Sequence, residues 1–193
     1  MTWIVAGLGN PGQSYASTRH NLGYRVVDEL ARRAGERFRK MRFVPIDVAE
    51  TTEGGERLLV GKSHRYYNET GEVVASLARK RDVPADRIVA VHDDLDLAFG
   101  ALRVKFGGST AGNHGLDSLV AALHTKDFHR VRIGIGRPPG RQDPVDYVLE
   151  PFPKRAEADV AVLVDDAADA VVSLVRDGVT AAQDRYNRSR PRE

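Results

Sequence analysis

The 193-residue sequence contains no cysteine. That absence removes disulfide scaffolds, thiolate nucleophiles, iron–sulfur clusters and cysteine-ligated zinc together, and it fits a reducing compartment. Long apolar runs are missing too, since nothing approaches the roughly 18–20 residues that a membrane-crossing helix requires. The opening Met1-Thr2-Trp3-Ile4-Val5-Ala6 has neither the basic flank nor the length of a signal peptide, so a cytoplasmic protein is expected. No internal repeat, low-complexity stretch or long linker is visible, and the length suits one substantial core. A single domain over residues 1–193, with a C-terminal helical segment from about 154, is the expectation.

An excess of either charge is nearly absent as well, with 29 Lys and Arg against 27 Asp and Glu. The distribution is uneven. Residues 1–46 carry 8 basic and 3 acidic side chains and residues 101–142 carry 7 and 2, whereas 47–100 carry 7 and 11 and 143–184 carry 3 and 10. Two basic stretches permit one positive face suited to a polyanion such as nucleic acid, beside the plainer reading of solvated charge scattered over the surface.

Apolar periodicity reads as an α/β alternation. Trp3 to Ala6 is a buried strand running into the loop Gly7-Leu8-Gly9-Asn10-Pro11-Gly12. From Asn21, the residues Leu22, Val26, Val27, Leu30 and Ala31 line one face of a helix. Phe43-Val44-Pro45-Ile46 and Leu58-Leu59-Val60 read as two strands of a hairpin turning at Gly54-Gly55. A second helix follows Asn68, and Ile88 to His92 reads as a central strand with Asp93 and Asp94 at its carboxyl end. Leu102 to Phe106 alternates apolar and basic residues as a half-exposed strand should. A helix over 116–123, a strand over 131–135 and an acidic helix ending at Gly178 complete the pattern. Thr180 to Gln183 has capping-box spacing for one last helix before a fraying basic tail, Arg188 to Arg192. The fold class expected is α/β: a three-layer α/β/α domain around a central mixed, mostly parallel sheet.

The glycine loop satisfies G-x-G-x-x-G after a strand, but Pro11 removes a backbone donor and polar residues 13–19 postpone the helix. About 20 residues on, the chain is still helical near Arg32 rather than at an acidic strand end, so a dinucleotide fingerprint fails. The glycines instead present Asn10 at a sheet edge, where its amide can read a peptide bond or simply serve a turn. His20 opens the first helix, and Asp93 can orient one ring nitrogen if their strands are neighbours. The run His92-Asp93-Asp94-Leu95-Asp96 also allows a divalent-metal nuclease, against which strand alternation argues because it splits the side chains between two faces. Ser109 lacks a nucleophile-elbow context, which leaves water as the nucleophile. A histidine base held by a carboxylate, with amide side chains nearby, is the minimal equipment for ester hydrolysis.

Taken together, Gly7 to Gly12, Tyr15, Thr18-Arg19-His20-Asn21-Leu22-Gly23, Tyr66-Tyr67-Asn68-Glu69-Thr70-Gly71 and His92 to Asp96, with Gly100, Arg103, Lys105 and Gly107-Gly108, resemble the bacterial-type peptidyl-tRNA hydrolases over about residues 3–150. The resemblance implies hydrolysis of the ester between a peptide's C-terminus and the 3′ ribose of tRNA. It implies no metal or organic cofactor, peptidyl-tRNA as the partner, no obligate protein partner and a monomer. Carried over, His20 activates water, Asp93 holds and charge-stabilises the imidazole, and Asn10 and Asn68 bind the peptide end of the substrate. Tyr15 and Tyr66 line the site near the tRNA 3′ end, while Lys105 and Arg132 grip phosphates.

Three departures stand out. The usual Gly-His-Asn-Gly-Leu appears as Gly112-Asn113-His114-Gly115-Leu116, so the substrate-contacting pair Asn113 and His114 is transposed. Ser63, Arg65 and Tyr67 stand where Pro, Thr and Met are usual, which alters the wall around Asn68. Asp117 stands where a basic or neutral residue is common. An active hydrolase is expected because His20, Asp93, Asn10 and Asn68 are intact. The alternative is a catalytically silent RNA-binding relative of the same fold.

Overall fold

The computed structural model describes residues 1–187. A continuous apolar run in a strand signals burial on both faces, and the central strands behave accordingly. In β1 (Thr2–Gly7) Ile4 and Ala6 enter one apolar cluster and Val5 enters the other. Leu59 of β4 (Glu56–Ser63) and Ile88 and Ala90 of β5 (Ile88–Asp94) join the first cluster. Leu58 and Val60 of β4 and Val89 and Val91 of β5 join the second. Each fully buried Val, Leu or Ile among them contributes about 1.5–3 kcal/mol relative to exposure.

The remaining strands are β2 (Arg39–Lys40), β3 (Ile46–Glu53), β6 (Leu102–Phe106) and β7 (His129–Gly134). The sheet order is β2-β3-β4-β1-β5-β7-β6. Strands β4, β1, β5 and β7 run parallel, while β3 and β6 join antiparallel. Helices α1 (Leu22–Arg33) and α5 (Glu157–Asp177) bury their apolar stripes on one face of the sheet, and α2 (Thr70–Arg81) and α3 (His114–Leu123) cover the other. The expected mixed α/β sheet between helices is the architecture observed. A short helix, α4 (Pro144–Val148), precedes α5, and α6 (Val179–Tyr186) packs beside β6. No helix among the described residues is long and apolar enough to cross a membrane.

Two local expectations need correction. Phe43-Val44-Pro45 is not strand: Phe43 is 84 % exposed with φ 67°, and β3 begins only at Ile46. Apolar composition suggested a ladder there, but the chain turns instead; the strand through Leu58-Leu59-Val60 and the hairpin turn at Gly54-Gly55 are as expected. Thr180 is not a helix cap either, because Gly178 both ends α5 and directly precedes α6, leaving Thr180 inside the helix. The basic tail Arg188 to Arg192 lies outside the described residues.

The order of the sheet opens the functional edge. The segment leaving β1 passes to α1 on one face, and that leaving the adjacent β4 passes to α2 on the other, so a crevice forms at their carboxyl ends. Closure at this edge depends on Gly23 in the first turn of α1, where an added Cβ would lie 2.3 Å from the Val91 carbonyl oxygen and 2.5 Å from the Leu8 nitrogen. Gly7 faces it, with its own notional Cβ 2.4 Å from the Gly23 oxygen. This backbone-to-backbone contact brings the start of α1 against the ends of β1 and β5. Gly23→Ala is expected to lower the unfolding free energy by about 1–3 kcal/mol, the usual cost of overpacking, and to reduce activity with it. Urea unfolding of the two proteins measures the first effect, and an exposed-face control such as Glu36→Ala is expected to leave stability within about 0.5 kcal/mol.

Candidate active site

His20 lies in a single 3₁₀ turn, Arg19–Asn21, directly before α1. Its Nδ1 is 3.0 Å from both carboxylate oxygens of Asp93 at the end of β5. The Asp93 side chain is 3 % exposed and that of His20 is 19 % exposed. A carboxylate only accepts, so the neutral imidazole carries its proton on Nδ1 and leaves the Nε2 lone pair for the cleft that His20 lines. The cleft holds about 480 Å³ and is bounded by Asn10, Tyr66, Tyr67, Asn68, Asn113 and His114 on its polar side.

Asn10 is clamped before it meets any substrate. Its backbone N–H donates to Asn21 Oδ1 at 2.8 Å, and Asn21 Nδ2 donates back to the Asn10 carbonyl at 2.9 Å. The Asn10 side-chain oxygen accepts the Tyr67 N–H at 2.8 Å, which fixes the amide orientation, since a backbone N–H must find an oxygen. Asn10 therefore presents its NH₂ donors, not the full reciprocal amide expected of it. Asn68 is exposed in the turn Tyr67–Glu69 that opens α2. Tyr66 meets Tyr15 edge-to-face, ring centroids 6.4 Å apart, so these two aromatic residues come together at one side of the site.

The transposed pair divides its work. Asn113 caps α3, its Oδ1 accepting the Leu116 N–H at 3.0 Å while its Nδ2 donates to the Tyr67 hydroxyl at 3.1 Å. Its amide is thus spent inside the protein and does not stand in for the displaced asparagine. His114 opens the helix with its side chain 83 % exposed, 3.9 Å from Asp117. Asp117 accepts a hydrogen bond from Thr110 at 2.5 Å, so its charge ties down the loop before α3.

The run His92 to Asp96 does not converge on one point. His92 Nδ1 donates to the Asp93 carbonyl at 2.7 Å, and burial pushes its imidazole below the usual range. Asp93 meets His20, Asp94 accepts from Arg132 Nε at 2.7 Å, and Asp96 pairs with Arg137. Strand alternation places Arg103, Lys105, Arg130 and Arg132 on one face of the β6–β7 ribbon, where Arg103 stands opposite Arg132 in the register and Lys105 opposite Arg130. Arg130 is buried and donates to the carbonyls of Gly108 at 3.0 Å and Ser109 at 2.7 Å, so it shapes the loop that leads to α3.

Sequence reasoning missed Arg19. The opposite, apolar wall of the cleft comes from α4 and the residue that ends it, through Val145, Val148 and Leu149. Arg19 fastens that wall to the histidine turn: Nη1 donates to the carbonyls of Tyr147 and Glu150, both at 3.1 Å, and the guanidinium lies 4.0 Å from the Tyr147 ring centroid. Its place beside His20 in the Thr18 to Gly23 block was the available signal. Within the acidic stretch 143–184, α4 thus walls the cleft while α5 packs on α1.

A histidine with a free Nε2, an orienting carboxylate and amide donors around a cleft describe a hydrolase that uses water as its nucleophile. A family model described as peptidyl-tRNA hydrolase matches residues 4–193. The chain is 50 % identical to the peptidyl-tRNA hydrolase of Nocardia farcinica over 184 residues, covering 95 % of each chain. It is 48 % identical to that of Mycobacterium tuberculosis, covering 95 % of this chain and 96 % of that one. The solved structure of peptidyl-tRNA hydrolase from Acinetobacter baumannii superposes with a TM-score of 0.86 at 30 % identity, covering 99 % of this chain and 97 % of that one. The chain belongs to the peptidyl-tRNA hydrolase family.

Arg19→Ala is expected to cost about 2–3 kcal/mol of stability, because it strips two carbonyls of a charged donor, and to raise KM by loosening the α4 wall. Arg19→Lys keeps the charge but loses the planar fork, so it is expected to recover only part of either effect. Denaturant unfolding and steady-state kinetics on both variants measure these changes.

Proposed function

We propose that this chain hydrolyses the ester bond of peptidyl-tRNA with His20 as general base, and that it does so as a cytoplasmic monomer with no obligate protein partner. The observation that carries the reading is the His20–Asp93 contact, 3.0 Å to both carboxylate oxygens, in a cleft bordered by Asn10 and Asn68. Nε2 takes a proton from water as the water oxygen attacks the ester carbonyl carbon. Asp93 offsets the positive charge that forms on the ring. Collapse of the tetrahedral intermediate breaks the bond to the ribose 3′ oxygen, which leaves with the proton returned by the imidazolium. Peptide and free tRNA are the products, and translation supplies the substrate in the cytoplasm.

Asn10 donates from Nδ2 to a peptide carbonyl, which separates N-blocked substrates from free aminoacyl-tRNA, and Asn68 binds beside it. His114, exposed at the cleft, takes the substrate-facing place that the transposition vacates, while Asn113 supports it from beneath. Tyr15 and Tyr66 offer aromatic faces to the unstacked 3′ end. Lys105 and Arg132 meet phosphates, with Arg132 braced by Asp94 through Nε.

An N-acetyl-aminoacyl-tRNA and the matching free aminoacyl-tRNA distinguish the outcomes. Cleavage of the blocked substrate alone is expected, with a loss of at least about 10³-fold in a His20→Ala variant that still folds. Binding of tRNA without cleavage by the wild type would move the chain to the silent RNA-binding class. Lys105→Ala is expected to raise KM with kcat little changed, most at low salt. Each lost phosphate contact shallows the dependence of log KM on log salt by about 0.7–0.9.

A further inference from the structure

We infer that Tyr67 is a positioning residue that sets both the orientation and the basicity of the His20–Asp93 pair. Its ring lies flat against the His20 imidazole, centroids 3.6 Å apart and planes 11° from parallel. The hydroxyl is 3.1 Å from Asp93 Oδ1, and the backbone N–H holds Asn10 Oδ1 at 2.8 Å. One buried side chain, with its own peptide nitrogen, therefore touches three of the groups to which roles are assigned above.

Chemistry fixes the direction of the hydroxyl. The Asn113 amide nitrogen, 3.1 Å away, has only protons to give, so the phenol oxygen accepts there. Asp93 has only lone pairs, so the phenol proton points to it. Burial and the neighbouring Asp93 charge push the phenol well above its usual range, and the proton stays in place as a donor. Asp93 Oδ1 then receives both His20 Nδ1 and Tyr67.

Two consequences follow for the imidazole. The second donor pins the carboxylate against rotation, and the ring stack fixes the imidazole plane, so Nε2 keeps one direction in the cleft. The second donor also draws off part of the negative charge that would otherwise stabilise the imidazolium. Room for the phenol ring depends on Gly115, where a Cβ would lie 2.5 Å from Tyr67 Cε1.

The inference rests on His20 as the base, and the test separates the two. Tyr67→Phe keeps the ring and removes the hydroxyl. It is expected to lower kcat about tenfold, the size of one hydrogen bond to a charged group, with KM within about twofold. Its acid limb in the pH profile of kcat/KM on N-acetyl-aminoacyl-tRNA is expected to move to higher pH. Tyr67→Leu, which also removes the stack, is expected to lose more activity with the limb moved the same way, and it stands in should Tyr67→Phe not fold. A folded variant with wild-type kcat and an unmoved acid limb overturns the inference, even if its thermal stability has dropped. With His20→Ala inactive, that result removes Tyr67 alone; wild-type activity in His20→Ala removes the base assignment and this inference together.

Discussion

A carboxylate withdrawn from water is stable only where donors replace its hydration, and Asp93 imposes that demand at the end of β5. His20 Nδ1 and the Tyr67 hydroxyl meet it. They arrive from different parts of the chain, one from the turn before α1 and the other from the turn after β4. Both reach Asp93 because β1 lies between β4 and β5 in the sheet and because α1 and α2 depart to opposite faces. The close backbone contact at Gly7 and Gly23 then sets the depth to which the histidine turn descends.

Around that pair the molecule separates its charges by task. Arg19 and Arg130 are buried and donate from their Nη atoms to backbone carbonyls, so they build walls and loops. Arg132 leans on Asp94. Alternation along β6 and β7 gathers Arg103 and Lys105 with Arg130 and Arg132 on one side of the sheet, and there the basic excess of residues 101–142 acquires a direction. The acidic excess of 143–184 is used differently: Asp165 and Asp169 on α5 hold Arg33 of α1, each at 2.7 Å, on the face away from α2 and α3.

Much of this was legible in the amino-acid order. Strands buried on both faces show as unbroken apolar runs, and the helices show their stripes, so β1, β5, α1 and α5 could be read directly. The spacing around His20 and Asp93, with the family resemblance, marked the same two residues that meet in the fold. Local patterns misled where composition and conformation diverge. Phe43 is apolar but exposed in a left-handed turn, and Thr180 has capping spacing but follows a glycine that already joins two helices.

The sequence by itself determined which elements form, which faces they bury, and which side chains are chemically equipped for acid–base work, because those properties depend on neighbours a few positions away. Only the tertiary structure decided what Tyr67, Asn113 and Arg19 do. Tyr67 read as a change in the wall around Asn68, and proved to touch His20, Asp93, Asn10 and Asn113 at once. Asn113 turned inward as a cap while His114 stayed outside, and Arg19 reached carbonyls near residue 150. Those contacts join segments far apart in the chain, and their geometry exists only once strand order and helix placement have brought the segments to one edge of the sheet.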